Sequence, residues 1–133
     1  MTVAAGLALY VTIIALNIRF RSETLRFLAA YPAISDTRSL EALKTVARRN
    51  MKAVLPFVAA TLAAMGLTAQ LIVYNRLIGF VTFLLANVML VWSALALRQA
   101  ENLARSLPCP DPSLAVAYSS VVKSWLSDPW PRF

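Results

Sequence analysis

The sequence lacks most of the residues on which catalysis and cofactor binding depend. It contains no histidine and a single cysteine, Cys109. Zinc or haem ligation through imidazole and general-base work by histidine are therefore excluded, and so is an intrachain disulfide. Three scattered glycines, Gly6, Gly66 and Gly79, exclude a glycine-rich phosphate loop, and the six acidic residues are dispersed. We expect the protein not to be an enzyme and to carry no cofactor or metal.

Charge is also missing from three long segments, residues 2–18, 53–74 and 77–97. The last two are apolar around the whole helical circumference, which excludes a water-soluble bundle because such helices need a polar face. At about 1.5 Å per residue they reach roughly 33 and 31 Å, against a hydrocarbon core of about 30 Å. The first segment reaches only about 25 Å and needs a thinner bilayer or protein neighbours. The sequence therefore predicts an all-α membrane protein with three transmembrane helices.

The basic residues predict an orientation. Of thirteen, eight lie in residues 19–52 and four in the tail 98–133, with three acidic residues in each stretch. Because positive loops stay in the cytoplasm, we expect the loop and the tail inside and the N-terminus outside. The predicted division is a three-helix transmembrane region, residues 1–97, and a cytoplasmic tail, residues 98–133. Abundant arginine and alanine favour a bacterial inner membrane.

The cytoplasmic loop is predicted to extend the helices on either side of it. Pro32 ends the first helix, and Asp36 offers a cap for the second. Apolar residues then recur at helical spacing from Leu40 into the second span. Basic residues close to the predicted membrane boundary are expected to contact anionic lipid headgroups, or else to act only as topology determinants. These residues are Arg19, Arg21, Arg48, Arg49 and Lys52.

Small side chains within the spans predict close helix packing. Ala59, Ala63 and Gly66 share one face of the second span at i, i+4 and i+7. Such residues let helix backbones approach each other in lipid, where no hydrophobic force drives association. Asn87 lies near the middle of the third span and is expected to form an interhelical hydrogen bond. We predict that these four residues contact another helix of the chain or of a partner.

The tail is predicted to form a short amphipathic helix over residues 112–126. Asp111 is a candidate N-cap, and Pro112 suits the first helical position. Apolar residues follow at helical spacing, with serines on the other faces. We expect this face and the terminal tryptophan to dock on a partner protein, with the headgroup region of the membrane as the alternative. The docking residues are Leu114, Tyr118, Val121, Val122, Trp125 and Trp130.

These features favour a non-catalytic accessory or structural subunit of a larger integral membrane complex. Its expected partners are other membrane subunits and anionic lipid. Nucleic acid is not expected, since the basic residues flank membrane spans and form no free basic domain. Two alternatives remain: a homo-oligomeric pore or holin-like protein, and a small transporter or pigment-holding subunit without histidine ligands. The lack of charged residues inside the spans argues against an ion-coupled transporter.

Overall fold

The computed structural model describes residues 2–133 and contains four helices. They are α1 (Thr2–Ala30), α2 (Thr37–Tyr74), α3 (Arg76–Arg105) and α4 (Pro112–Ser127). No strand is present in this part of the chain. The first three helices are long and apolar enough to cross a membrane. The predicted all-α class with three candidate spans is therefore confirmed, and the apolar helices indicate a membrane location.

The helix ends follow local sequence signals. Helix α1 ends just before Pro32, and α2 begins after Asp36, whose Oδ1 accepts a hydrogen bond from the Ser39 backbone N–H at 2.7 Å. The Ser39 hydroxyl in turn accepts from the Asp36 backbone N–H at 3.2 Å, which completes a reciprocal capping box. Helix α2 continues through Pro56 without a break. The loop residues 19–52 are thus largely helical, as predicted.

Helices α2 and α3 are joined by Asn75 alone. Its Oδ1 accepts from the backbone N–H of Ile78 at 3.2 Å, so Asn75 serves as the N-cap of α3. The turn brings Gly79 so close to α2 that an added Cβ would lie 2.5 Å from the carbonyl carbon of Leu71. Real Cβ atoms do not approach other heavy atoms this closely. The turn therefore requires glycine at this position.

Gly79→Ala is expected to destabilise the fold by about 2 kcal/mol, because the added methyl group must displace backbone instead of a flexible side chain. Gly66→Ala is the matched control, since nothing lies within 4 Å of a Cβ built at Gly66. Denaturant unfolding in detergent micelles measures both. A loss of similar size in the two variants would contradict the close approach at Gly79.

The chain divides into two compact units, which are described separately. The first, the apolar unit, comprises α1 up to Arg19 together with Pro56–Leu97. Its core is formed by Tyr10, Ile13, Ala64 and Leu90. Gly6 also packs tightly there, because a Cβ at this position would lie 2.9 Å from the Cβ of Leu67. The residues of the apolar unit correspond closely to the three predicted spans.

The second, the polar unit, comprises Phe20–Leu55 and Arg98–Phe133. A backbone hydrogen bond of 2.9 Å from Ile34 N–H to the Pro108 oxygen joins its two interhelical connections. The buried core residues come from all four helices and from the α1–α2 connection. They are Phe27, Ile34, Leu40, Leu43, Val46, Ala47, Met51, Ala104, Val121 and Trp125. Residues 20–55, which include most of the predicted loop, group in this unit with the tail residues 98–133.

Candidate functional site: a charge network and the surfaces of the two units

Five polar side chains form a continuous network within the polar unit. Arg49 pairs with Glu23 and also donates to Asn50 Oδ1, at 2.9 Å from Nη2. Asn50 Nδ2 donates to Glu101 Oε1 at 2.7 Å, and Arg105 Nη2 donates to Glu101 Oε2 at 3.1 Å. The network therefore links α1, α2 and α3 with two guanidinium groups and two carboxylates. Its formal charges sum to zero.

Each arginine of the network also lies over an aromatic ring. The Arg49 guanidinium carbon is 4.7 Å from the centroid of Phe20, and that of Arg105 is 4.9 Å from the centroid of Trp125 on α4. A guanidinium group sheltered from water gains from such a cation–π contact. The second contact brings α4 into the network. Both carboxylates are already bound by cations, so the arrangement is suited to holding helices together.

Every acidic side chain of the chain accepts a hydrogen bond nearby. Besides Glu23 and Glu101, the acceptors are Asp36 from Ser39, Glu41 from Lys44, Asp111 from Ser113 and Asp128 from Ser124. Eight basic side chains of the polar unit are instead exposed. They are Arg21, Arg26, Arg38, Arg48, Lys52, Arg98, Lys123 and Arg132. The surface of this unit is therefore strongly cationic.

This distribution corrects part of the predicted headgroup set. Arg49 was predicted to contact lipid headgroups. It is half-buried instead, and its guanidinium group binds Glu23 and Asn50 within the network. Arg48 is exposed, but its Nε donates to the main-chain oxygen of Phe133 at 2.7 Å. Arg19, Arg21 and Lys52 are exposed, and their contact with lipid stays a prediction.

Helix α4 forms as predicted, but its apolar face contacts the chain itself. Val121 and Trp125 are buried in the core of the polar unit, and Leu114 and Tyr118 pack against that core. Tyr118 Oη donates to the carbonyl oxygen of Arg105 at 2.6 Å and so satisfies an acceptor at the end of α3. Val121 and Trp125 are thus enclosed by the chain itself, whereas docking of the half-buried Leu114 and Tyr118 on a partner stays a prediction. Val122 is half-buried, and Trp130 remains exposed.

Asp111 is the N-cap of α4, as predicted, and gives the helix a pH-dependent start. Hydrogen bonds from the Ser113 hydroxyl at 2.7 Å and from its backbone N–H at 2.8 Å lower the pKa of the Asp111 carboxyl. A lowered pKa means that the capping contribution is complete above the ordinary value of 3.8 and is lost as pH falls through the lowered pKa.

We expect the N-terminal turn of α4 to fray in acid in the native protein. Asp111→Asn keeps a capping oxygen without the charge, so this part of the pH dependence should disappear. Amide hydrogen exchange of residues in the first turn, measured in both proteins between about pH 5 and pH 2, checks this. Identical pH profiles would show that the Asp111 carboxylate does not control the cap.

In the apolar unit, the helices pack through different residues from those predicted. Ala59, Ala63 and Gly66 are all exposed, whereas Ala64 and Thr68 on the adjacent stripe are buried. The predicted contact within the chain is therefore wrong for this stripe, and its use against a partner helix stays a prediction. Asn87 donates to the carbonyl oxygen of Phe83 on its own helix, at 2.8 Å, and not to another helix.

Asn17 and Ser93, neither of which was predicted to pack, form an interhelical polar contact in the apolar unit. Both are buried, and Asn17 Nδ2 donates to Ser93 Oγ at 3.1 Å. Asn17 also lies in the wall of a groove of about 320 Å³ between α1, α2 and α3. The other wall residues are Ile13, Phe57, Val58, Thr61, Leu62, Leu90, Val91 and Ala94. The only signal in the sequence was the position of Asn17 inside the uncharged first segment.

Comparisons with protein-family models, with curated proteins and with solved structures found no match to this chain. Within the residues that the structure describes, no three acidic or cysteine side chains are grouped so that they could hold a metal ion. Its function is therefore inferred from four physical features of the chain itself. They are the charge network, the cationic surface, the outward stripe of small residues and the Asn17 groove.

Proposed function

We propose that the chain is a non-catalytic accessory subunit of a larger integral membrane complex, which it stabilises by helix packing and lipid contact. The observation that carries this proposal is the outward position of Ala59, Ala63 and Gly66 on α2. Bulky side chains occupy most other exposed positions of the apolar unit, such as Leu62 and Val88. A stripe of small residues gives lipid tails little to contact but lets a partner helix approach closely.

The charge distribution supports an orientation for this subunit. We place the loop 19–52 and the tail on the cytoplasmic side of a bacterial inner membrane, with the N-terminus outside. All six carboxylates accept hydrogen bonds, whereas eight basic side chains of the polar unit are exposed. Exposed positive charge of this kind favours retention in the cytoplasm and attraction to anionic headgroups, at about 1 kcal/mol for each residue near the surface.

Purification in a mild detergent tests the proposal. The native protein should migrate as a particle larger than the monomer and contain further membrane proteins, identified by mass spectrometry. Gly66→Leu should release the chain as a monomer, since the larger side chain fills the stripe at a position where no atom of the chain lies within 4 Å of an added Cβ. Val73→Leu enlarges an exposed side chain elsewhere on α2 and should leave the particle intact.

Two results would contradict the accessory role. A native protein that is monomeric in mild detergent has no stable complex to belong to. A larger particle that contains this chain alone would favour the self-associating pore, and dye leakage from proteoliposomes would then measure that activity directly.

A further inference from the structure

We infer that the groove beside Asn17 binds a neutral apolar molecule that carries one hydroxyl group, and that this hydroxyl donates a hydrogen bond to Asn17 Oδ1. This inference goes beyond the proposed subunit function and does not depend on it. All the wall residues belong to the apolar unit. The wall therefore lies among residues that are suited to the interior of a membrane.

Hydrogen bonding fixes which end of the Asn17 amide remains available. The Ser93 hydroxyl donates its proton to the carbonyl oxygen of Leu90 at 2.8 Å. It therefore meets Asn17 as an acceptor, and the Asn17 atom 3.1 Å away must be the Nδ2 donor. The Asn17 Oδ1 atom therefore remains available as an acceptor. No donor among the described residues bonds to this oxygen.

Asn17 as a whole residue is only 3% exposed, but its amide oxygen is not among the fully enclosed side-chain atoms that lack a partner, so this oxygen keeps some accessible surface. Polar groups of buried residues nearly always have hydrogen-bond partners. Asn17 lies in the groove wall, so the missing donor can come from a molecule bound there. Thr61 lies in the same wall, and its hydroxyl has no hydrogen bond with the described residues either. The two side chains together can satisfy both the proton and a lone pair of a ligand hydroxyl.

The rest of the wall defines the remainder of the ligand. It carries no charged residue, so an ionised headgroup would be desolvated without a counter-ion. Its other side chains are aliphatic or aromatic, which suits an alkyl chain or a small ring system. A volume of about 320 Å³ is at the small end of the usual range for ligand sites, about 300–1,000 Å³. The expected ligand is thus a medium-sized apolar alcohol and not a whole phospholipid.

Photolabelling of the full chain in proteoliposomes tests the inference. The probe is a 1-dodecanol derivative with a photoreactive diazirine on its chain, and labelled peptides are identified by mass spectrometry. Labelling should be saturable and located on the groove residues Val58, Leu62 and Val91. Unlabelled 1-dodecanol should compete roughly tenfold better than dodecyl methyl ether at equal mole fraction in the lipid, because only the alcohol can donate to the amide.

Variants separate the hydrogen bond from the fold. Asn17→Leu should abolish the preference for alcohol over ether. Asn87→Leu is the matched control, since Asn87 is also an amide within a span but lies outside this groove, and it should keep the preference. Ala94→Phe retains Asn17 and fills the groove from an exposed position, so it should remove saturable labelling even where Asn17→Leu fails to fold. Equal competition by the ether, or labelling that persists in Ala94→Phe, would overturn the inference.

Discussion

Replacing Glu101 by alanine is expected to lower the free energy of unfolding by about 3 kcal/mol, because it breaks the charge network in its middle. Glu101 accepts from both Asn50 and Arg105, and its side chain is 16% exposed. Its removal leaves the guanidinium of Arg105, only 14% exposed, without an anion, and leaves the Asn50 amide without its acceptor. An uncompensated charge sheltered from water costs more than the ion pair contributes.

The ion pair between Glu41 and Lys44 provides the matched control for this prediction. It is also an ion pair within one helix, at 2.6 Å, but the Glu41 side chain is 55% exposed. Glu41→Ala should therefore have only a small effect on unfolding, as expected of a surface pair. Glu101→Gln keeps the shape and one acceptor oxygen, so its effect should lie between those of the two alanine variants. Denaturant unfolding in detergent micelles, followed by circular dichroism, gives all three values. If Glu101→Ala costs no more than Glu41→Ala, solvent already screens the network.

The network could not be predicted because its members meet only after folding. Glu23 and Arg49 are 26 positions apart in sequence, and Asn50 and Glu101 are 51 apart. The one local signal was the i, i+4 spacing of Glu101 and Arg105, which marks a helical ion pair but says nothing about its burial. Arg49 was predicted to bind lipid on the basis of its position near a span. In the structure Arg49 instead pairs with Glu23, which lies on another helix and could not be identified as its neighbour from the sequence.

The fold class, in contrast, followed from the sequence because its signals are long and redundant. Each span extends over many uncharged residues, so no single position decides it. Local capping chemistry at Asp36 and Asp111 also predicted two helix starts, since a cap depends on residues only two or three positions away. Features that depend on residues close together in the sequence, such as spans and helix caps, were thus predictable.

Choice of helix face was not predictable to the same degree. Ala59 and Ala60 are neighbours on α2, about 100° apart around the axis, and both lie on stripes of small residues. The small volume of the side chains is common to both stripes, so it does not determine which stripe packs against another helix of the chain. In the structure, the stripe with Ala64 and Thr68 is buried and the stripe with Ala63 is exposed. The buried stripe is the one that packs against Gly6 and Tyr10 of α1. These two residues are distant from α2 in sequence, so the sequence pattern of α2 does not show which stripe they contact.

Trp125→Ala is expected to have the largest effect on stability, about 3–5 kcal/mol, because it empties a large volume in the core of the polar unit. Trp125 is 7% exposed and belongs to the same buried cluster as Ile34, Leu43 and Val121. It also provides the aromatic ring under Arg105, so the charge network loses a contact at the same time. The tail helix should consequently detach from the unit even though its own helical sequence is unchanged.

This variant also distinguishes the two roles considered for α4. If α4 only serves to bind a partner, the purified chain should be equally stable with and without Trp125. If α4 completes the core of the polar unit, Trp125→Ala should lower the stability of the purified chain. Leu126→Ala is the control, since Leu126 is the next residue and is 65% exposed, and it should cost less than 1 kcal/mol. Unfolding of the purified chain and proteolysis of the 112–127 segment measure the effect. Increased cleavage in Trp125→Ala alone would indicate that α4 is held by its own chain, and equal resistance in both variants would mean that the buried face contributes little to holding it.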